Sequence, residues 1–275
     1  MATAYLSVNN ILRPQILVSE KDFLVAYKPP RMHSAPLSHS SSDNLLSWCT
    51  GKVPEIANLP GRRAGEGGLL HRLDFETHGL LLLAKTQRGM EAFIEQQKNG
   101  NIIKEYCALA SASKTVVPGF PQEKSELVQG LFSAKEKDRN FEPVLVKSAF
   151  RSYGFGRKAV RPVRVDDVDG LCPEKPSFKD IVFDDGNPYI TNIIETYSLS
   201  YGVVSFRLRI FRGFRHQLRC HLAWLRSPIL NDSIYGGSPY GKGLLGLRAQ
   251  SLSFKDPSSG RERTYTIRPL ELDEL

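Results

Sequence analysis

The sequence predicts an α+β protein organised on a central mixed or antiparallel sheet flanked by helices and loops. Two observations carry this. Short apolar or alternating runs, bounded by Pro, Gly and polar clusters, outnumber the segments that keep a helical period. No internal repeat or low-complexity tract interrupts this pattern of many strands with a few helices. Residues 1–14 read as an N-terminal extension, and residues 15–275 as one domain.

Residues 15–28 read as two short strands around the polar turn Ser19–Asp22, closed by Pro29-Pro30. Residues 34–44 read as loop, with Asp43 placed to cap a short helix through Trp48. The glycine-rich run 59–68 lacks the Lys-Ser/Thr ending of a phosphate-binding loop and reads as a connector. Gly79–Ala84 is all apolar, as a strand buried on both faces should be. Thr86 is an N-cap for a helix carrying Met90, Phe93, Ile94 and Gln97, and Gly100 stops it. Ile102–Ala110 returns to strand. Residues 111–146 and 165–190 keep no period and read as excursions. Tyr197–Phe211 reads as a single strand, with Phe206, Leu208 and Ile210 inward and Arg207 and Arg209 on the other face. After Gly213, Leu218, Leu222 and Leu225 are spaced for a helix that Pro228 ends.

Composition narrows the function classes. With 41% hydrophobic and 24% charged residues, a disordered or collagen-like chain is excluded. No apolar run approaches the roughly 18 residues that cross a bilayer, so no membrane partner is expected. No secretory or transit signal is evident in the first twenty residues, and the four cysteines are scattered as reduced thiols would be, so a cytoplasmic protein is expected. The net charge of +8 is concentrated. Lys147–Arg164 and Arg207–Arg226 each carry six basic residues and no acid, leaving the rest of the chain at a net −4. Such clustering is the footprint of a phosphate-backbone partner, the alternative being a solvated basic face.

The segment His71-Arg72-Leu73-Asp74-Phe75-Glu76-Thr77-His78-Gly79 holds the densest group of reactive side chains. An ionised Asp74 is a nucleophile or a base; on composition alone a turn cap is the commoner role. Tyr106 by itself reads as a strand aromatic. Cys220, between Arg219 and His221, packs rather than reacts, because adjacent helical side chains do not face each other. His216 and His221 lie five apart with no third ligand nearby, so no metal site is expected. No Cys-x-x-Cys, His-Glu-x-x-His or dinucleotide fingerprint occurs, and no cofactor is expected.

Taken together, several of these runs resemble the motifs of the RluA-type pseudouridine synthase family. His71-Arg72-Leu73-Asp74 with Thr77, then Gly79–Lys85, resembles its central motif. Lys104-Glu105-Tyr106 resembles its Lys-x-Tyr element. His216-Gln217-Leu218-Arg219-x-His221, with Pro228-Ile229 and Asp232-x-x-Tyr235-Gly236, resembles its third motif. Lys28-Pro29 and Leu247-x-Ala249-x-x-Leu252-x-Phe254 fit the flanking segments, and the matches fall in family order over about residues 15–270.

The resemblance implies a pseudouridine synthase-like catalytic domain over 15–275, without an S4-like module, that isomerises uridine in rRNA or tRNA without a cofactor. It implies Asp74 as the essential aspartate, Tyr106 stacking on the base and assisting proton removal from carbon, and Arg219 pairing with Asp74. Leu247 would line the uracil pocket and Arg72 would enter the space of a flipped nucleotide. Thr77, His216, Arg215 and Arg209 are the remaining expected substrate contacts. A monomer with no obligatory protein partner is expected. The competing reading is a noncatalytic RNA-binding or chaperone protein that has kept the fold. A DNA-binding regulator would need a partner helix for Arg215–Arg226, and none is spaced for it. The chain departs from the family pattern at Arg31, His78, Phe214-Arg215, Asn231 and Arg248. None of these is in the Asp74/Tyr106/Arg219 trio, so retained catalysis with altered substrate contacts is expected. Phe214 either packs into the core or stacks on a base.

Overall fold

Strands dominate the computed structural model, which describes residues 5–37, 41–61, 65–113, 117, 120–121, 141–164 and 180–275. In chain order the elements are β1 (Gln15–Ser19), β2 (Phe23–Lys28), α1 (Leu45–Thr50), β3 (His78–Ala84), α2 (Gln87–Lys98) and β4 (Ile103–Ser111). There follow β5 (Val144–Tyr153), β6 (Ala159–Val163), β7 (Ile181–Val182), β8 (Tyr189–Ser198), β9 (Val203–Ile210), α3 (Gln217–Trp224), β10 (Leu247–Lys255) and β11 (Glu262–Thr266). The chain divides into two compact units, Met1–Tyr106 with Leu247–Pro269, and Cys107–Gly246 with Leu270–Leu275. It passes from the first to the second within β4.

In the first unit the strand order is β1-β2-β3-β10-β4, with β11 on β10. β1, β2 and β3 pair antiparallel, whereas β3 and β10 run parallel, so the sheet is mixed. Every residue of β2 and β3 is buried. The apolar run Gly79–Ala84 is thus the doubly covered strand that its composition predicts. Phe23, Phe93 and Phe254 meet edge to face at 5.1–6.0 Å in the core under α2. Thr86 caps α2 through its Oγ1, which accepts from Gly89 N at 3.1 Å. Residues of the N-terminal extension belong to this unit: Leu6, Val8 and Ile11 pack on its core, and Leu6 N–H donates to Thr266 O at 2.7 Å.

In the second unit β9-β8-β5-β6 form consecutive neighbours, with β7 also on β5. Phe150, Val160, Cys220, Ala223 and Tyr235 make its core beside α3. Phe214 stacks on Phe150 with ring centroids 5.0 Å apart, so it is a packing residue.

Three sequence expectations are corrected. The cap of α1 is Asn44, whose Oδ1 accepts from Ser47 N at 2.9 Å, not Asp43 one residue earlier. Tyr197–Phe211 is not one strand. The chain turns over through Ser200–Gly202, where Tyr201 and Gly202 take φ of 59° and 70°, so the alternation spans the end of β8 and all of β9. Finally, α3 ends at Trp224, before Pro228, because Arg226 enters the left-handed region at φ 57°. The expected excursions fall largely outside the described residues; where described, they supply the start of β5, all of β7 and the start of β8. No helix among the described residues is long and apolar enough to cross a membrane.

Candidate active site

Parallel pairing of β3 and β10 starts both strands at the same end of the sheet. Asp74 and Thr77 immediately precede β3, and Leu247 opens β10, next to β4 with its Tyr106. The close approach has a local cause. Gly79 sits at φ +127°, and a Cβ there would lie 2.2 Å from Ala249 O, so only glycine lets the strands meet. The expected site residues Asp74, Tyr106, Thr77 and Leu247 are thereby carried on one end of one sheet.

The Asp74 backbone is held from both sides. Ser34, buried, accepts from Leu73 N–H at 2.9 Å and donates to Leu73 O at 2.8 Å. Lys28, fully buried at the end of β2, donates through Nζ to Pro29 O (2.9 Å), Met32 O (2.7 Å) and Phe75 O (3.1 Å). Three carbonyls use all three donors of an ammonium. Residues 28–34 thus clamp residues 73–75 around Asp74, and the His33 ring packs on Phe75 at 4.6 Å. Burial lowers the Lys28 amine to about 7, against the pull of the Asp74 and Glu76 carboxylates, which favour its charged form.

Tyr106 is buried, and its phenol is pushed up by burial and by the Asp74 charge nearby. The hydroxyl is therefore protonated at neutral pH. Leu247 is buried at 2% exposure, and Thr77 Oγ1 is buried without a hydrogen-bond partner among the described residues. Arg72 points outward, half-exposed, with Glu66 3.5 Å away. The departures at positions 78 and 248 prove to be a pair, directly opposite each other in the β3–β10 ladder. Arg248 donates from Nε to His78 Nε2 at 3.0 Å and from Nη1 to the Arg268 and Pro269 carbonyls. That donation requires an unprotonated His78 Nε2. The ring's pKa is accordingly driven well down, by burial first and then by Arg248 and Lys28.

The second unit gathers the His216–Tyr235 motif into one network. Arg219, 4% exposed, makes a two-pronged pair with Asp232: Nε to Oδ2 at 2.7 Å and Nη2 to Oδ1 at 2.8 Å. The Asp232 carboxylate also accepts from the Ile234 and Tyr235 amides. His216 Nδ1 lies 3.2 Å from the Tyr235 hydroxyl, which accepts from Val160 N–H. His221 bridges Ser148 (2.9 Å) and Thr191 (2.8 Å), fixing α3 against β5 and β8, and burial lowers its pKa to about 3. Arg209 is half-buried on β9. Arg215 is exposed and donates to the Arg157 and Ala159 carbonyls.

Sequence reasoning found the motifs but missed two partners. Ser34 carries no motif signal at all. Asp232 was noted in the Asp-x-x-Tyr run, but its two-pronged hold on Arg219 was not.

Comparison with known proteins identifies the family. The family described as RNA pseudouridylate synthase matches residues 22–224, and the chain belongs to that family. Among curated relatives it is 25% identical over 226 residues to the ribosomal large subunit pseudouridine synthase D of Yersinia pestis, and 26% identical to that of Pasteurella multocida. In each case the alignment covers 82% of this chain and 53% of the relative, so the chain spans about half the length of the relatives it matches. Two solved human structures share the fold. RNA Pseudouridylate Synthase Domain Containing 1 aligns at a TM-score of 0.56 and 19% identity, covering 95% of this chain and 86% of its own. RNA Pseudouridylate Synthase Domain Containing 4 aligns at 0.54 and 18%, covering 94% and 90%.

Proposed function

We propose that this chain isomerises uridine to pseudouridine in structured rRNA or tRNA, with residues 15–275 as the catalytic domain. The observation that carries the reading is Asp74 clamped from both sides, beside a buried Tyr106 and Leu247 at one end of the sheet. The reaction breaks the C1′–N1 bond of uridine, turns the uracil and forms C1′–C5; the C5 proton leaves and N1 gains one. It is redox-neutral and calls for no cofactor. Asp74 acts at the sugar or uracil as nucleophile or base. Tyr106, kept as a phenol, stacks on the base and is not a phenolate base in the resting site. Leu247 supplies apolar lining, and Arg72 fills the space of the extruded nucleotide. Arg219, held by Asp232 within the second unit, is the residue that the family resemblance pairs with Asp74. Thr77, His216, Arg209 and Arg215 contribute substrate contacts.

The names of the relatives make large-subunit ribosomal RNA the first substrate to test. RNA is the partner, and the protein works as a cytoplasmic monomer without an obligatory protein partner. The deciding experiment incubates wild type and Asp74→Asn with that RNA and maps pseudouridine. The variant should form none while keeping RNA affinity within a few fold; wild-type turnover in the variant would refute the role of Asp74. A wild type that binds RNA but makes no pseudouridine would favour the noncatalytic reading.

A further inference from the structure

Several residues other than glycine hold left-handed backbone, and two of them beside motif residues, Asn231 and Arg31, differ in what their side chains do. Asn231 (φ 63°) uses its amide locally: it accepts from Tyr240 N at 2.6 Å and donates to Tyr240 O and Leu244 O at 2.9 and 2.7 Å. Its conformation is offset by bonds that only a short amide can make there. Arg31 (φ 57°) sits in the turn after β2, and its side chain is 58% exposed, with Nε 3.5 Å from Glu76. A long cationic side chain gains nothing from a left-handed backbone. Such strain persists where the surrounding structure over-determines it, commonly at a binding site.

The surroundings here do over-determine it. The Lys28 ammonium holds the carbonyls of Pro29 and Met32, on either side of Arg31, together with that of Phe75. Ser34 holds Leu73 by both its amide and its carbonyl. Arg31 is therefore the middle of one clamped segment and Asp74 the middle of the other, and the guanidinium is presented at the rim of the Asp74 loop. Its carboxylate neighbour, Glu76, is itself 38% exposed, and an exposed pair of this length is readily exchanged for another anion. A guanidinium matches the oxygens of a phosphodiester in a two-pronged geometry that its Nε contact with Glu76 does not use up.

We propose that Arg31 is a phosphate-binding residue of the Asp74 site, taking the RNA backbone beside the target nucleotide in exchange for Glu76. The inference rests on the proposed function for the identity of the polyanion.

The test compares wild type, Arg31→Gly and Glu76→Gln, as full chains, in binding to a large-subunit ribosomal RNA transcript over a series of salt concentrations. Arg31→Gly relieves the left-handed strain, so it should melt at the wild-type temperature or a few degrees above. Its RNA affinity should fall roughly five- to tenfold at low salt, and the slope of log K against log salt should shrink by about 0.7–0.9, the signature of one lost phosphate contact. Glu76→Gln, which removes the competing anion, should bind at least about twofold more tightly. Wild-type affinity and slope in Arg31→Gly would overturn the proposal, and so would a loss of affinity at unchanged slope. A wild type that makes no pseudouridine in either large-subunit ribosomal RNA or transfer RNA refutes the functional reading, whereas the slope comparison judges Arg31 separately.

Discussion

Ser34 shows how a residue without chemistry of its own can govern a site. Its hydroxyl is the partner of both polar groups of Leu73, and it is 4% exposed, so water cannot replace it. Ser34→Ala should cost about 2 kcal/mol of stability, the usual penalty when buried partners are stranded. Turnover should fall by roughly tenfold as Asp74 loses its registration, with RNA affinity retained. Chemical denaturation and single-turnover kinetics check the two halves; a variant with wild-type turnover would show that Lys28 alone suffices to place the loop. Asp74, Tyr106 and Leu247 were legible in the sequence because motif spacing marks them. Ser34 was not: it lies in a Ser-rich stretch whose composition says loop, and its partner is 39 positions away.

Among the elements, α3 depends on a neutral histidine. His221 is fully buried between Ser148 and Thr191, and its pKa falls to about 3 in the folded chain, against about 6.5 unfolded. Below 6.5 the unfolded chain takes up a proton that the folded one refuses, so stability is lost as pH falls from 6.5 toward 3. His78, also driven well down, adds a second such proton in the first unit. Between pH 6 and 5 the unfolding free energy should therefore drop by about 1 kcal/mol per pH unit from His221, with His78 steepening the slope. Urea titrations across that range measure it; a flat profile would mean that the two rings are not held neutral. The period of α3 was readable from Leu218 and Leu222, but its end was not, because a left-handed Arg226 leaves no mark in a sequence. The same blindness joined β8 and β9, since a Ser-Tyr-Gly turn does not interrupt alternation strongly enough to be seen.

Across the whole molecule, the two acid-free basic stretches look different once folded. Arg219 is buried on Asp232, Arg207 approaches Glu195 at 3.7 Å, and Arg212 pairs with Asp184 and Asp185. Acids distant in sequence thus answer part of the charge that the linear pattern assigned to a partner. Arg209 and Arg215 remain the residues of that stretch proposed to meet RNA. Replacing both with Ser should weaken RNA binding and flatten its salt dependence by up to about two ions. An unchanged slope would remove both from the interface.

The division of the chain also bears on how the protein can be dissected. The polypeptide leaves the first unit after Tyr106, re-enters it at Leu247, and leaves again after Pro269 to end in the second. The second unit is in effect an insertion between two neighbouring strands, β4 and β10, with the Leu109 amide bonded to Gly246 O at 2.8 Å across the base of the insertion. No single cut frees either half intact, and truncation after residue 106 would strip β10 and β11 from the sheet that carries Asp74. The two residues assigned to the base pocket, Tyr106 and Leu247, are the last and first residues at the stems of that insertion. A change in its length or sequence would be felt first where uracil is expected to sit.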